Sequence, residues 1–106
     1  IDQRRSARLL QTFLSTVPSQ VEALVAAAGG SDLSVVRGHA HKLKGSASSL
    51  GALRMSKLCA AIQHAADRDE SEHLAAWSQL VAQALVELTT LLEAELNHKQ
   101  ASPRAH

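Results

Sequence analysis

Aromatic side chains are almost missing from this chain: Phe13 and Trp77 are the only two. A nucleic-acid platform built on base stacking therefore has nothing to stack with. A formal net charge of +1 supplies no global field to draw a polyanion. Proline occurs only at Pro18 and Pro103, β-branched residues form no alternating run, and Asn-Gly turns are absent. Strands and hairpins are thus not signalled. Cys59 is the single cysteine, which excludes an internal disulfide and fits a reducing compartment. No apolar run approaches the roughly 18–20 residues of a membrane span, and the N-terminus lacks a signal-peptide pattern. The phosphate-binding loop G-x-x-x-x-G-K-[ST] is also missing, so the chain shows nothing of what an autonomous kinase needs.

What remains is a chain of 106 residues, 45% hydrophobic and mostly Ala, Leu and Val among its apolar positions. That is enough for one small domain with an aliphatic core. The apolar residues recur at helical spacing. Over residues 2–16, Leu9, Leu10, Phe13, Leu14 and Val17 share one side. Pro18 breaks this pattern or opens the next helix at its first turn, where a missing N–H does no harm. Val21, Leu24, Val25 and Ala28 form a short helix ended by Gly29 and Gly30. Ser31 or Asp32 caps the following helix, which carries Leu33, Val36, Ala40, Leu43, Ala47 and Leu50 and stops at Gly51. Met55, Leu58, Ile62 and Ala65 mark the next, with Cys59 as a small core residue. A long last helix over 71–98 turns Leu74, Trp77, Val81, Ala84, Leu85, Leu88, Leu91 and Leu92 inward. Residues 99–106 read as a frayed or disordered tail. The expected fold is all-α: an antiparallel up-down four-helix bundle over residues 1–98, with an additional short helix.

One stretch of that bundle does not read as scaffold: GHAHKLKGSASSLGA, residues 38–52. On a helical wheel at about 100° per residue, Val36, Ala40, Leu43, Ala47 and Leu50 cluster within about 40° of the core direction. His39 falls roughly 60° to one flank of that stripe, whereas His41 falls roughly 140° to the other, toward solvent. His39 is therefore read as structural. Arg37 precedes His41 by one turn, and Lys44, Gly45 and Ser48 follow it on neighbouring positions. Gly45 costs the helix about 1 kcal/mol relative to alanine, and Gly38 costs as much. Either these glycines serve tight packing, or the space beside His41 is kept open for a bulky group. Cations on both sides favour a group of high negative charge, such as phosphoryl. Near neutral pH a good fraction of an imidazole is unprotonated and nucleophilic, which suits this role.

The run HKLKGSASSLGA, from His41 to Ala52, resembles the motif of the histidine-containing phosphotransfer domain. In that family a histidine is followed by Lys and Gly at the third and fourth positions, on the second major helix of a four-helix bundle. The register selects His41, because the same offsets from His39 give Lys42 and Leu43. The resemblance implies a relay of two-component signalling. His41 would be the phosphorylated nucleophile, accepting from a receiver-domain aspartate and passing the group to another. Lys44 would steady the phosphoryl oxygens, Gly45 would give clearance, and Gln63 would orient the ring by presenting its amide oxygen to Nδ1–H. Arg37, Lys42, Ser48, Arg54 and Lys57 would face the acidic receiver, where charge complementarity speeds encounter. Mg²⁺ is expected on the receiver, with no metal and no cofactor in this domain.

Two rival readings belong to other classes. A metal-binding bundle has six histidines to draw on, but His39 and His41 diverge and His64, His73, His98 and His106 are scattered. A non-catalytic helical adaptor would bind receivers without phosphotransfer. The chain opens on Ile1 with Met55 as its only methionine, so it reads as a piece of a longer protein. The expected parent is a hybrid sensor histidine kinase with this module at or near its C-terminal end. That parent would sit in the inner membrane, with this domain cytoplasmic, probing no membrane or nucleic acid itself and monomeric as a piece.

Overall fold

A computed structural model describes residues 3–101. Four helices make up the fold: α1 (Gln3–Ala28), α2 (Leu33–Ser49), α3 (Leu53–Asp67) and α4 (Leu74–Ala101). They pack in a ring, α1 on α2, α2 on α3, α3 on α4 and α4 on α1; among the described residues the diagonal pairs do not meet. Short turns join consecutive helices, so each runs antiparallel to the next. The core is aliphatic apart from Phe13, and includes Leu24, Leu43, Met55, Ile62, Leu74 and Val81. Cys59 belongs to it, fully buried, and burial pushes its thiol up to about 11 against an opposing pull from the Lys44 ammonium. The chain is all-helical as expected, and among the described residues no helix is long and apolar enough to cross a membrane.

The first helix departs from expectation. It runs through Pro18 without a break, so the additional short helix is its second half. A proline inside a helix removes one hydrogen bond and costs about 3 kcal/mol. Phe13, Val17, Val21 and Leu24 nevertheless make one buried stripe that crosses the proline. Breaking the helix there would split that stripe, and tertiary burial wins. The helices also differ in length. α1 and α4 have 26 and 28 residues, whereas α2 and α3 have 17 and 15. At about 1.5 Å per residue the longer pair extends past the shorter by several turns. Leu9 and Leu91 are 53% and 67% exposed while their neighbours Leu10 and Leu92 pack against the core, so these two leucines lie off the buried stripe. Leu14 is exposed as well, beside the buried Phe13 rather than part of its stripe. α4 begins at Leu74 rather than 71, with the His73 ring stacked on Trp77 at 5.3 Å across its first turn. It continues to Ala101, beyond the expected start of the tail; residues 102–106 of that tail lie outside the described residues.

The ends of α2 and α3 are closed by local chemistry. Asp32 is the N-cap of α2: its Oδ1 accepts from the backbone N–H of Ser34 at 3.0 Å and of Val35 at 3.4 Å. The Ser34 hydroxyl donates to the same oxygen at 2.7 Å, and these bonds hold the Asp32 carboxyl below its ordinary range. At the other end Gly51 adopts φ +75°, with Ala52 N–H donating to Ala47 O and Gly51 N–H to Ser48 O. This is a Schellman closure. The same pair of bonds ends α3, from Glu70 N–H to Ala65 O and Asp69 N–H to Ala66 O. There the left-handed position, φ 57°, is filled by Asp69, which pays for a Cβ that glycine lacks. Replacing Asp69 by glycine is expected to stabilise the domain by about 0.5–1 kcal/mol, and Gly51→Ala to destabilise it by about 1 kcal/mol. Urea unfolding of the two variants beside the parent checks both signs.

Candidate functional site

Helices α2 and α3 are joined by only three residues, 50–52, and so lie side by side in a tight antiparallel register. Three polar pairs cross between them. Arg37 Nη1 meets Asp67 Oδ1 at 3.4 Å, Gln63 Nε2 lies 3.3 Å from His41 Nδ1, and the hydroxyls of Ser48 and Ser56 share a hydrogen bond of 3.0 Å. Each advance of four or seven residues along α2 is matched by an equal retreat along α3. The pairs are rungs of one ladder.

His41 stands on this ladder with its ring exposed, whereas His39, two residues before it, is half-buried at the edge of the core stripe. The wheel separates these two histidines correctly. Beside His41 is an open cleft of about 330 Å³ lined by Arg37, Gly38, His41 and Gln63. A second cleft, lined by Val35, Gly38, His39, His41 and Lys42, opens on the other side of the ring. Gly38 borders both. A Cβ built on Gly38 or on Gly45 meets nothing within 4 Å. The tight-packing explanation of these glycines therefore fails, because no neighbouring atom needs the space. Gly38 was legible as an anomaly from its helix-interior position, yet its place beside the ring emerges only from the fold.

The contact between Gln63 and His41 differs in one respect from expectation. The amide presents nitrogen rather than oxygen to Nδ1, and Gln63 Oε1 is buried without a hydrogen-bond partner. The two ends of an amide are almost identical in shape, so hydrogen bonding decides between them. In the orientation seen, Gln63 N–H donates to an unprotonated Nδ1. With the amide turned by 180°, Oε1 accepts from Nδ1–H and the amide nitrogen takes the buried position.

The remaining candidates scatter. Lys44 is half-buried and leans toward α3, where its ammonium acts on the Cys59 thiol; it forms no ion pair with a described residue. Lys42 borders the second cleft. Ser48 is two turns from His41, about 10 Å along the axis, and is engaged by Ser56. Arg54 is about 13 Å from Gln63 along α3, and its guanidinium donates to Glu87 Oε1 on α4 at 2.8 Å. Lys57 is exposed on α3 beside Arg54, in a groove formed by that helix alone. Asp67 carried no signal in the sequence, since a single acid at a helix end has many bland explanations. Among the described residues no three His, Cys, Asp or Glu side chains gather as metal ligands do.

The model of one protein family, described as Hpt domain, matches residues 8–103. The chain belongs to the Hpt domain family. No curated protein and no solved structure matches it. Hpt domains are phosphocarriers of two-component phosphorelays; they interact with receiver domains and are not autonomous kinases. In this Hpt domain the HKLKGSASSLGA run starts on the exposed face of α2 and ends in the turn to α3. Gly38→Ala and Gly45→Ala are each expected to raise stability by about 0.5–1 kcal/mol, because alanine suits a helix interior and nothing crowds the new methyl. Chemical unfolding measures this directly, and a loss of stability in either variant would mean the fold requires the glycine.

Proposed function

We propose that this Hpt domain carries a phosphoryl group on His41 Nε2, taking it from a receiver-domain aspartyl phosphate and giving it to the aspartate of another receiver. The observation that carries the reading is the exposed His41 ring, bonded at Nδ1 by Gln63 and flanked by helix glycines that no packing demands. Glycine in a helix interior has a stability cost, and clearance for an incoming phosphoryl group is what that cost supports.

The chemistry follows from the ring. With the Gln63 amide turned from the orientation seen, so that Oε1 accepts from Nδ1–H, the lone pair is on Nε2 and points away from α3. That lone pair attacks phosphorus as the bond to the aspartyl oxygen breaks, and the receiver's carboxylate departs with the electron pair. The proton stays on Nδ1, where the amide oxygen stabilises the ring's new positive charge. The reverse step regenerates neutral His41 and an aspartyl phosphate. Lys44 steadies the phosphoryl oxygens, Gly45 gives them clearance, and Gln63 holds the ring; phosphoryl transfer asks mainly for such positioning and charge stabilisation. Mg²⁺ belongs to the receiver on this reading, and the domain works as a monomer without a cofactor of its own.

Arg37 and Lys42 border His41 and are the nearest cations for an acidic receiver face. Arg54, Lys57 and Ser48 are farther along α2 and α3 and serve the same surface only if the receiver extends that way. The wider assignment, a cytoplasmic module of a membrane-anchored hybrid sensor kinase, is part of the same proposal.

The test is phosphotransfer from a receiver labelled on its aspartate to the parent domain, His41→Gln, His39→Gln and Gln63→Ala. Acid-labile, base-stable label is expected in the parent and in His39→Gln but not in His41→Gln. Gln63→Ala is expected to slow transfer about tenfold, the worth of one hydrogen bond. A folded domain that binds the receiver and never takes label would instead be an adaptor.

A further inference from the structure

The loose ion pair beside His41 has no part in the chemistry above. Arg37 precedes His41 by one helical turn and borders the same cleft, together with Gly38 and Gln63. Its Nη1 stands 3.4 Å from Asp67 Oδ1, with the two side chains 55% and 51% exposed. That separation is at the outer limit of hydrogen bonding. The Arg54–Glu87 pair, by contrast, closes to 2.8 Å as a hydrogen bond. A guanidinium offers five N–H donors in a fixed fork and bonds best to two oxygens at once. Asp67 satisfies little of that fork. It does hold the Arg37 charge at the cleft, on the rung next to His41 and Gln63. Gly38 lines the same cleft and adds no side chain to fill it.

We propose that Arg37 is a phosphoryl-binding residue kept at hand by Asp67, and that it exchanges the Asp67 carboxylate for phosphoryl oxygens when His41 is modified. The inference rests on His41 being the carrier. A phosphoryl group brings more charge than one carboxylate and three strong acceptor oxygens, so it outcompetes a single 3.4 Å contact for the guanidinium. Lys44 approaches from the following turn of α2, and the phosphoryl group then has one cation on each side. Asp67 has two effects through Arg37: it stations the cation near the ring, and it competes with the incoming anion. Removing its charge leaves Arg37 free to bind sooner.

Phosphoramidate separates this inference from receiver recognition. It labels histidine without a protein donor: its own P–N bond breaks and ammonia leaves as the new P–N bond to Nε2 forms. Initial labelling rates of the 106-residue domain are compared for the parent, Arg37→Ala, Arg37→Lys, Asp67→Asn and the Arg37→Ala/Asp67→Asn double variant, with circular dichroism confirming the helices. Arg37→Ala is expected to label roughly fivefold more slowly, the size of a half-exposed charge pair. Arg37→Lys recovers part of the rate, and Asp67→Asn labels about twofold faster than the parent. The double variant matches Arg37→Ala, since Asp67 acts only through Arg37. In ³¹P NMR the phosphohistidine resonance of Arg37→Ala titrates at higher pH than that of the parent, because a cation beside the dianion is gone.

Parent-like labelling and an unshifted ³¹P midpoint in Arg37→Ala would overturn the exchange while leaving His41 as carrier. So would an Asp67→Asn gain that persists without Arg37. A parent domain that never takes label on His41 would overturn the carrier reading and this inference together.

Discussion

The antiparallel register of α2 against α3 is the constraint on which the rest of the structure depends. The turn at residues 50–52 leaves no slack in the chain, and Gly51 can take the left-handed backbone that this closure needs. From there the core contacts set the rungs: Val36, Ala40, Leu43 and Ala47 on one helix, Met55, Cys59, Ile62 and Ala66 on the other. Sliding α3 by one residue would swing Gln63 about 100° away from His41. The bonded edge of the imidazole, the open edge, and the cation one turn away are all consequences of that single alignment. The rung at Lys44 is filled on the α3 side by small residues, Cys59 and Ala60, so its ammonium keeps no fixed anionic partner among the described residues.

A second theme is the division between stability and access. Two glycines interrupt a helix of 17 residues at positions where a methyl group would meet nothing. Elsewhere the domain uses its special backbone positions structurally, as Gly51 and Asp69 show. Gly38 and Gly45 are of the other kind: they weaken the helix and leave open surface on both flanks of one exposed ring. A four-helix core with a continuous aliphatic interior can absorb that loss, which is why the bundle suits a carrier whose chemistry lies on its outside.

Much of this was legible beforehand, for identifiable reasons. Helical periodicity is strong in an aliphatic chain, so the bundle and its core stripe could be read directly, and a 200° difference on the wheel separated His41 from His39. Pro18 misled because local propensity predicts a break where the stripe of Phe13, Val17, Val21 and Leu24 demands continuity. Leu9 and Leu91 misled because each adjoins a second leucine, Leu10 and Leu92, and only one of two consecutive helix positions turned inward. Arg37 was visible as a charge near the site; its pairing with Asp67 was not, since that depends on a register between helices. The same is true of Arg54, which Glu87 on α4 draws into a different interface. The orientation of the Gln63 amide is finer still, a matter of which end of a near-symmetric group meets the ring.

The Gln63 amide sets which imidazole nitrogen of His41 keeps its lone pair. The measurement that tests it most directly is the tautomeric state of His41, read from long-range ¹H–¹⁵N correlations of the imidazole at a pH where the ring is neutral. The account predicts a proton on Nδ1 and a free lone pair on Nε2 in the parent domain, with the preference lost in Gln63→Ala. A His41 ring that holds its proton on Nε2 in the parent domain would contradict it, because the nitrogen facing the open edge would then have no lone pair with which to attack.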